Sequence, residues 1–148
     1  MHIPIAFLLL ASVAGLLHMY WSPRLELRIL TWWPMLLGWI ACAVAVATGL
    51  LAQSGLPPQA PFRSTLNWHI GSGLALLVVY AAPLYVRWRR RPQNSIRSAH
   101  AMPQPDLLDD AEARIWLTLD LLAGIGLLIA TGWNGGRLVY EWAVNVLG

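Results

Sequence analysis

Residues 66–91 read LNWHIGSGLALLVVYAAPLYVRWRRR, and this stretch decides the fold. Between Leu66 and Val86 the only ionisable group of ordinary charge chemistry is the imidazole of His69, and the run then stops at Arg87, Arg89, Arg90 and Arg91. About 20 apolar residues in a helix cross the roughly 30 Å of a bilayer core. An apolar run of that length, closed by arginines, is a transmembrane helix stopped at a charged surface.

Three further runs match it, at Ile3 to Trp21, Thr31 to Ala52 and Ile115 to Trp133. The chain has 148 residues, 57% hydrophobic and 11% charged, with a mean hydropathy of +0.55. Soluble domains carry about 25% charged residues. The expectation is an all-α, four-helix transmembrane bundle, one domain over 1–148, with no room for a second.

All ten basic residues are arginine, and the net charge is +3. They flank the apolar runs, so they report topology and not nucleic-acid binding. Arg24 and Arg28 lie in the first connection. Arg87, Arg89, Arg90, Arg91 and Arg97 lie in the third, which Pro92, Pro103 and Pro105 interrupt. The second connection holds only Arg63 and the tail only Arg137. The positive-inside rule makes the arginine-rich connections cytoplasmic and both termini periplasmic, in a bacterial inner membrane. The first run has no basic residue ahead of it, and Tyr20-Trp21-Ser22-Pro23 is a poor cleavage site, so it is read as a retained span. Tyr20, Trp21, Trp32, Trp33, Trp68, Trp88, Trp116, Trp133 and Trp142 fall near span ends, where amphipathic rings anchor to headgroups.

Two histidines, His2 and His69, each open an odd-numbered span on the same side. One inward-facing imidazole from each of two helices at one depth is the arrangement that holds both axial positions of a haem iron. Pro4 fits the first turn beside His2. Gly71, Ser72 and Gly73 follow His69 and admit a flat ring or a close helix. Arg63 and Arg137 are candidates to meet propionates, with interfacial snorkelling as their alternative role. A haem here is held by coordination alone, because Cys42 is the single cysteine and no Cys-x-x-Cys-His is present. Cys42 itself reads as a small buried apolar residue.

Asp120 is a carboxylate inside the fourth run, a placement that costs on the order of 3 kcal/mol on insertion scales unless a partner meets it. His18 or Arg114 is the expected partner. His18 and Asp120 either carry protons to a quinone or form a structural bond between helices. His100 lies in the Pro-rich connection and reads as a solvated loop residue.

A weak repeat links the halves. The hairpin begun by His2 closes with Ala47-Thr48-Gly49, and the one begun by His69 closes with Ala130-Thr131-Gly132. Two hairpins of one direction are related by an axis along the membrane normal, which makes His2 and His69 equivalent. Gly132, Gly135 and Gly136 then suit a sharp turn out of the membrane, followed by a short interfacial segment over 138–146.

The opening His2-Ile3-Pro4-Ile5-Ala6 and the close Thr131-Gly132-Trp133-Asn134-Gly135-Gly136-Arg137-Leu138-Val139-Tyr140 resemble the corresponding motifs of a bacterial membrane family, domain of unknown function 2231. Members of that family are found fused to Rieske iron–sulfur or cytochrome c modules, so the resemblance implies respiratory electron transfer. The chain departs from the pattern in lacking a further His-Pro pair before the opening, and in carrying Arg137 where an acidic residue is common.

The reading that unites these features is a b-type cytochrome with bis-histidine haem ligation. It acts as an electron-transfer subunit between a periplasmic partner of cytochrome c, Rieske or dehydrogenase type and quinone or another subunit. The alternative is a haem-free anchor or scaffold subunit. A small transporter using Asp120 and His18 is a third reading, without the interrupted helices such sites use. Nucleotide-binding loops, nucleophile triads and metal-hydrolase motifs are absent from the sequence, so substrate chemistry falls to a partner.

Overall fold

The computed structural model describes residues 2–55, 57, 59–90 and 106–142, without the side chain of His2. It contains four long helices: α1 (His2–Tyr20), α2 (Leu25–Ala52), α3 (Arg63–Arg89) and α4 (Ala111–Tyr140). Short 3-10 turns at Gln53–Gly55 and Leu107–Asp109 precede α3 and α4. Each long helix is apolar and long enough to cross a membrane. The 19 residues of α1 span about 28 Å, and the 28, 27 and 30 residues of α2, α3 and α4 span about 40–45 Å.

All but α1 are longer than the apolar runs that predict them. α2 takes in Arg24's neighbours from Leu25, α3 runs on through Arg87 to Arg89, and α4 starts at Ala111 and ends at Tyr140. Long side chains at helix ends reach the polar boundary from inside the helix, so charge does not terminate it. The largest departure is at the close of α4. The expected turn at Gly132, Gly135 and Gly136 does not form, and Leu138 to Tyr140 belong to the helix. Within a bilayer a break would leave backbone N–H and C=O groups without partners, which outweighs the mild helix penalty of glycine. Residues 143–146 of the expected interfacial segment lie outside the described residues.

The helices form a ring in which α1 packs on α2 and α4, and α3 on α2 and α4. Contacts fix the direction of each pair. Gly15 meets Thr31 while Gly38 meets Leu8; Gly124 meets Tyr80 while Gly135 meets His69; Gly15 meets Leu121 while Gly132 meets Ile5. Between α2 and α3, Gly73 meets Val46 and Trp39 donates to the Leu77 carbonyl. In every pair the numbers rise on one helix as they fall on the other, so all neighbours are antiparallel and the hairpins share one direction, as the repeat predicts.

The burial pattern is that of a membrane protein. Leu8, Ala11, Met35, Leu76, Leu117, Leu121 and Leu128 fill the middle, while Leu9, Leu10, Val13, Ile40, Val44, Val78, Leu119 and Ile129 face outward. Small residues set the helix separation, since lipid-embedded helices gain from close backbone approach. At the centre, Tyr80 is fully buried and its hydroxyl lies 2.8 Å from Ser12 Oγ. Ser12 donates to the Leu8 carbonyl at 2.9 Å, so Tyr80 is the donor to Ser12. This ties α3 to α1 across the ring. An added Cβ at Gly124 would lie 2.6 Å from the Tyr80 hydroxyl oxygen and 2.7 Å from its Cζ. Gly124→Ala is therefore expected to destabilise the fold by about 1–3 kcal/mol, read by denaturant titration of tryptophan fluorescence. Gly126→Ala, at an open position inside the same helix, is expected to raise that midpoint slightly, a gain of up to about 1 kcal/mol.

Candidate functional site

His69 stands in the second turn of α3, half-buried, with its ring against the backbone of α4. An added Cβ at Gly135 would lie 3.0 Å from His69 Cε1, so glycine at that position lets the imidazole approach the helix closely. Nδ1 is 3.0 Å from the Thr131 carbonyl oxygen. A carbonyl only accepts, so Nδ1 carries the proton and Nε2 presents its lone pair. Metal-bound histidines are held in this way, with the second nitrogen locked to a backbone carbonyl.

Beside His69 is an apolar cavity of about 80 Å³, walled by all four helices: Pro4, Ile5 and Leu8 of α1, Cys42, Val46 and Gly49 of α2, Leu66 and Gly73 of α3, Leu128 and Thr131 of α4. Thr131 Oγ1 is buried there without a hydrogen-bond partner among the described residues. At the same end, Arg63 begins α3, and its Nη1 is also buried and unpartnered among the described residues. A buried guanidinium nitrogen with nothing to donate to is a place for an anionic group.

The register between α1 and α4 locates His2. Ile5 lies opposite Gly132, so His2, one turn earlier, lies level with Gly135, the residue that receives the ring of His69. The two backbone positions thus share a depth, while the His2 side chain lies outside the described residues. Pro4 occupies the first turn of α1, as its sequence position implies.

Other expected members of the site are placed elsewhere. Gly71 faces outward with open space around it, whereas Gly73 does line the cavity. Arg137 Nε donates to both carboxylate oxygens of Glu141, at 3.0 and 2.9 Å, and so is engaged within its own helix end. Cys42 is a buried free thiol. His100 lies outside the described residues.

The opposite end corrects the pairing expected for His18 and Asp120. His18 Nε2 is 2.9 Å from Asp109 Oδ1, and Nδ1 is 3.1 Å from the Arg24 carbonyl. Asp120 Oδ2 is buried with no hydrogen-bond partner among the described residues, and Arg114 is exposed. The reason is that the segment before α4 folds under the bundle. Leu107 and Leu108 are buried there, which carries three aspartates up against the other helices. Asp106 Oδ1 accepts from Trp32 Nε1 of α2 at 3.0 Å, and its Oδ2 lies 3.6 Å from Arg87 Nε of α3. Asp109 takes His18 of α1 and lies 3.9 Å from Arg28 of α2. Asp110 pairs with Arg90, the residue that caps the end of α3, and caps α4 at the Glu112 amide. The loop is a clasp that binds every helix at that end.

The hydrogen bond from Arg90, with help from the Glu112 amide, holds the Asp110 carboxyl below its ordinary range. A depressed folded value gives stability that is complete above the unfolded value of about 3.8 and is lost as pH falls through the folded one. Wild-type protein is expected to show a drop in thermal midpoint below about pH 4 that is smaller in Asp110→Asn, where the ion pairs of Asp106 and Asp109 remain, checked by melting curves across an acid series.

Among the described residues no cluster of three or more His, Cys, Asp and Glu side chains is arranged to hold a bare metal ion. No curated protein and no solved structure matches this chain. A family model described as a predicted membrane protein, DUF2231, matches residues 1–148, in keeping with the four apolar helices, and the chain belongs to that family.

Proposed function

We propose that the chain is a membrane b-type cytochrome whose haem is held between His2 and His69. The observation that carries this reading is the shared depth of the two histidine positions at a cavity into which all four helices look. The tautomer of His69 supports it, because Nε2 is the nitrogen left for iron. Arg63 supports it as well, with a buried donor suited to a propionate.

Donor chemistry fits the group; the closed cavity is tight. Ligand pockets usually enclose about 300–1,000 Å³. At about 80 Å³, this one takes a porphyrin only after the walls contributed by the four helices move apart. Bound haem supplies one-electron carriage. The chain's own part is to hold the imidazole at fixed orientation through Thr131, to surround the ring with aliphatic walls that exclude water, and to offset carboxylate charge through Arg63.

In this reading the arginine-rich end is cytoplasmic and the histidine end, with both termini, periplasmic, in the inner membrane. A periplasmic partner of cytochrome c, Rieske or dehydrogenase type then meets the end where the site lies. The tightness of the cavity favours a second reading, a haem-free anchor subunit. The optical spectrum of protein purified from a haem-replete host separates them. Sharp Soret and alpha bands after dithionite support the cytochrome, and a colourless, folded, monodisperse preparation supports the anchor.

A further inference from the structure

The outer surface between α2 and α3, at the arginine-rich end, holds a groove of about 620 Å³, far roomier than the histidine cavity. Trp33 and Trp88 line it, 62% and 66% exposed, together with Tyr85. Neither indole N–H nor the Tyr85 hydroxyl makes a hydrogen bond to any described residue, so three residues with neutral donors line one groove without a protein acceptor among the described residues. The Tyr85 and Trp88 rings sit 6.2 Å apart, tilted at 40°. Toward the bilayer centre the groove continues over Leu36 and Leu84.

The charge in the groove is already matched. Arg87 lies 3.6 Å from Asp106 and 4.4 Å over the ring of Trp32. An anionic phosphate gains little from a guanidinium that a carboxylate neutralises, whereas unpaired N–H and O–H donors are satisfied by neutral carbonyl oxygens. Aromatic faces favour a flat ring in offset contact. Aliphatic walls in line with the helices favour a long apolar tail. We infer that this groove binds the head of a membrane quinone, a neutral flat ring with two carbonyl acceptors and an isoprenoid tail.

The inference rests on the electron-transfer reading for its meaning but not for its test. Protein in nanodiscs is irradiated with a short-tailed azidoquinone, and adducts are mapped by peptide mass spectrometry. Saturable labelling within residues 33–36 or 84–88 is expected, competed by decylquinone and not by added phosphatidylglycerol. Trp33→Leu with Trp88→Leu, both at exposed positions that leave the core intact, is expected to reduce labelling about tenfold, and Tyr85→Phe several-fold. Labelling spread evenly over all lipid-facing helices, insensitive to the variants, or displaced by phosphatidylglycerol overturns the inference. A colourless preparation that still labels saturably removes the haem and keeps the quinone site; a haem-loaded preparation without specific labelling does the reverse.

Discussion

Asp106→Ala is expected to lower unfolding free energy by about 3 kcal/mol, read as a shift in a denaturant titration followed by tryptophan fluorescence. The side chain is only 13% exposed and meets three groups at once. Removing it leaves the Trp32 indole N–H, on a residue 3% exposed, without an acceptor. A buried donor left unpaired costs about 1–3 kcal/mol. The turn at Leu107–Asp109 also loses its cap, since Asp106 Oδ1 accepts from the Leu108 amide at 3.2 Å, a contribution of about 1 kcal/mol. Arg87 loses one carboxylate neighbour while still lying over Trp32. Asp106→Asn keeps an oxygen for the indole and the amide and gives up only the charge. It is expected to cost less than half as much. Equal losses from the two variants would mean that the ion pair, and not the hydrogen bonds, holds the clasp.

That clasp marks the boundary of what the sequence discloses. Four apolar runs announce four spans because hydrocarbon tolerates nothing else, and the arginines announce their alternating direction. Asp106, Asp109 and Asp110 sit beside a Pro-rich polar connection, where local pattern predicts solvent. Their partners Trp32, His18 and Arg90 lie 74, 91 and 20 positions away, and no periodicity encodes such pairs. The same limit explains His18. Asp120 is the obvious acid inside a span, but the acid that reaches His18 belongs to a turn that buries two leucines to get there. Gly135 shows a different failure. Glycine has two uses, turning a chain and admitting a neighbour, and only the structure shows that the second one applies. The depth match of His2 and His69 was legible in advance, since it needs only helix rise and span order.

His69→Ala is expected to abolish the Soret band and leave the bundle folded. The two outcomes separate because His69 contributes little to folding: one hydrogen bond to the Thr131 carbonyl from a half-buried ring, about 1 kcal/mol. The variant therefore keeps its helical circular dichroism and nearly its denaturation midpoint, while the proposed haem would lose one of the two imidazoles that hold it. Imidazole added to the buffer is expected to restore part of the band by entering the space that the ring vacates. Thr131→Val is the control for the same wall of the cavity. It removes a buried hydroxyl that has no partner among the described residues, so the apoprotein is expected to be as stable or slightly more so. His2→Ala is expected to bleach the protein as His69→Ala does, because a ring held at one depth needs both sides. A Soret band that survives either histidine substitution places the iron elsewhere and removes the shared depth of His2 and His69 as its explanation.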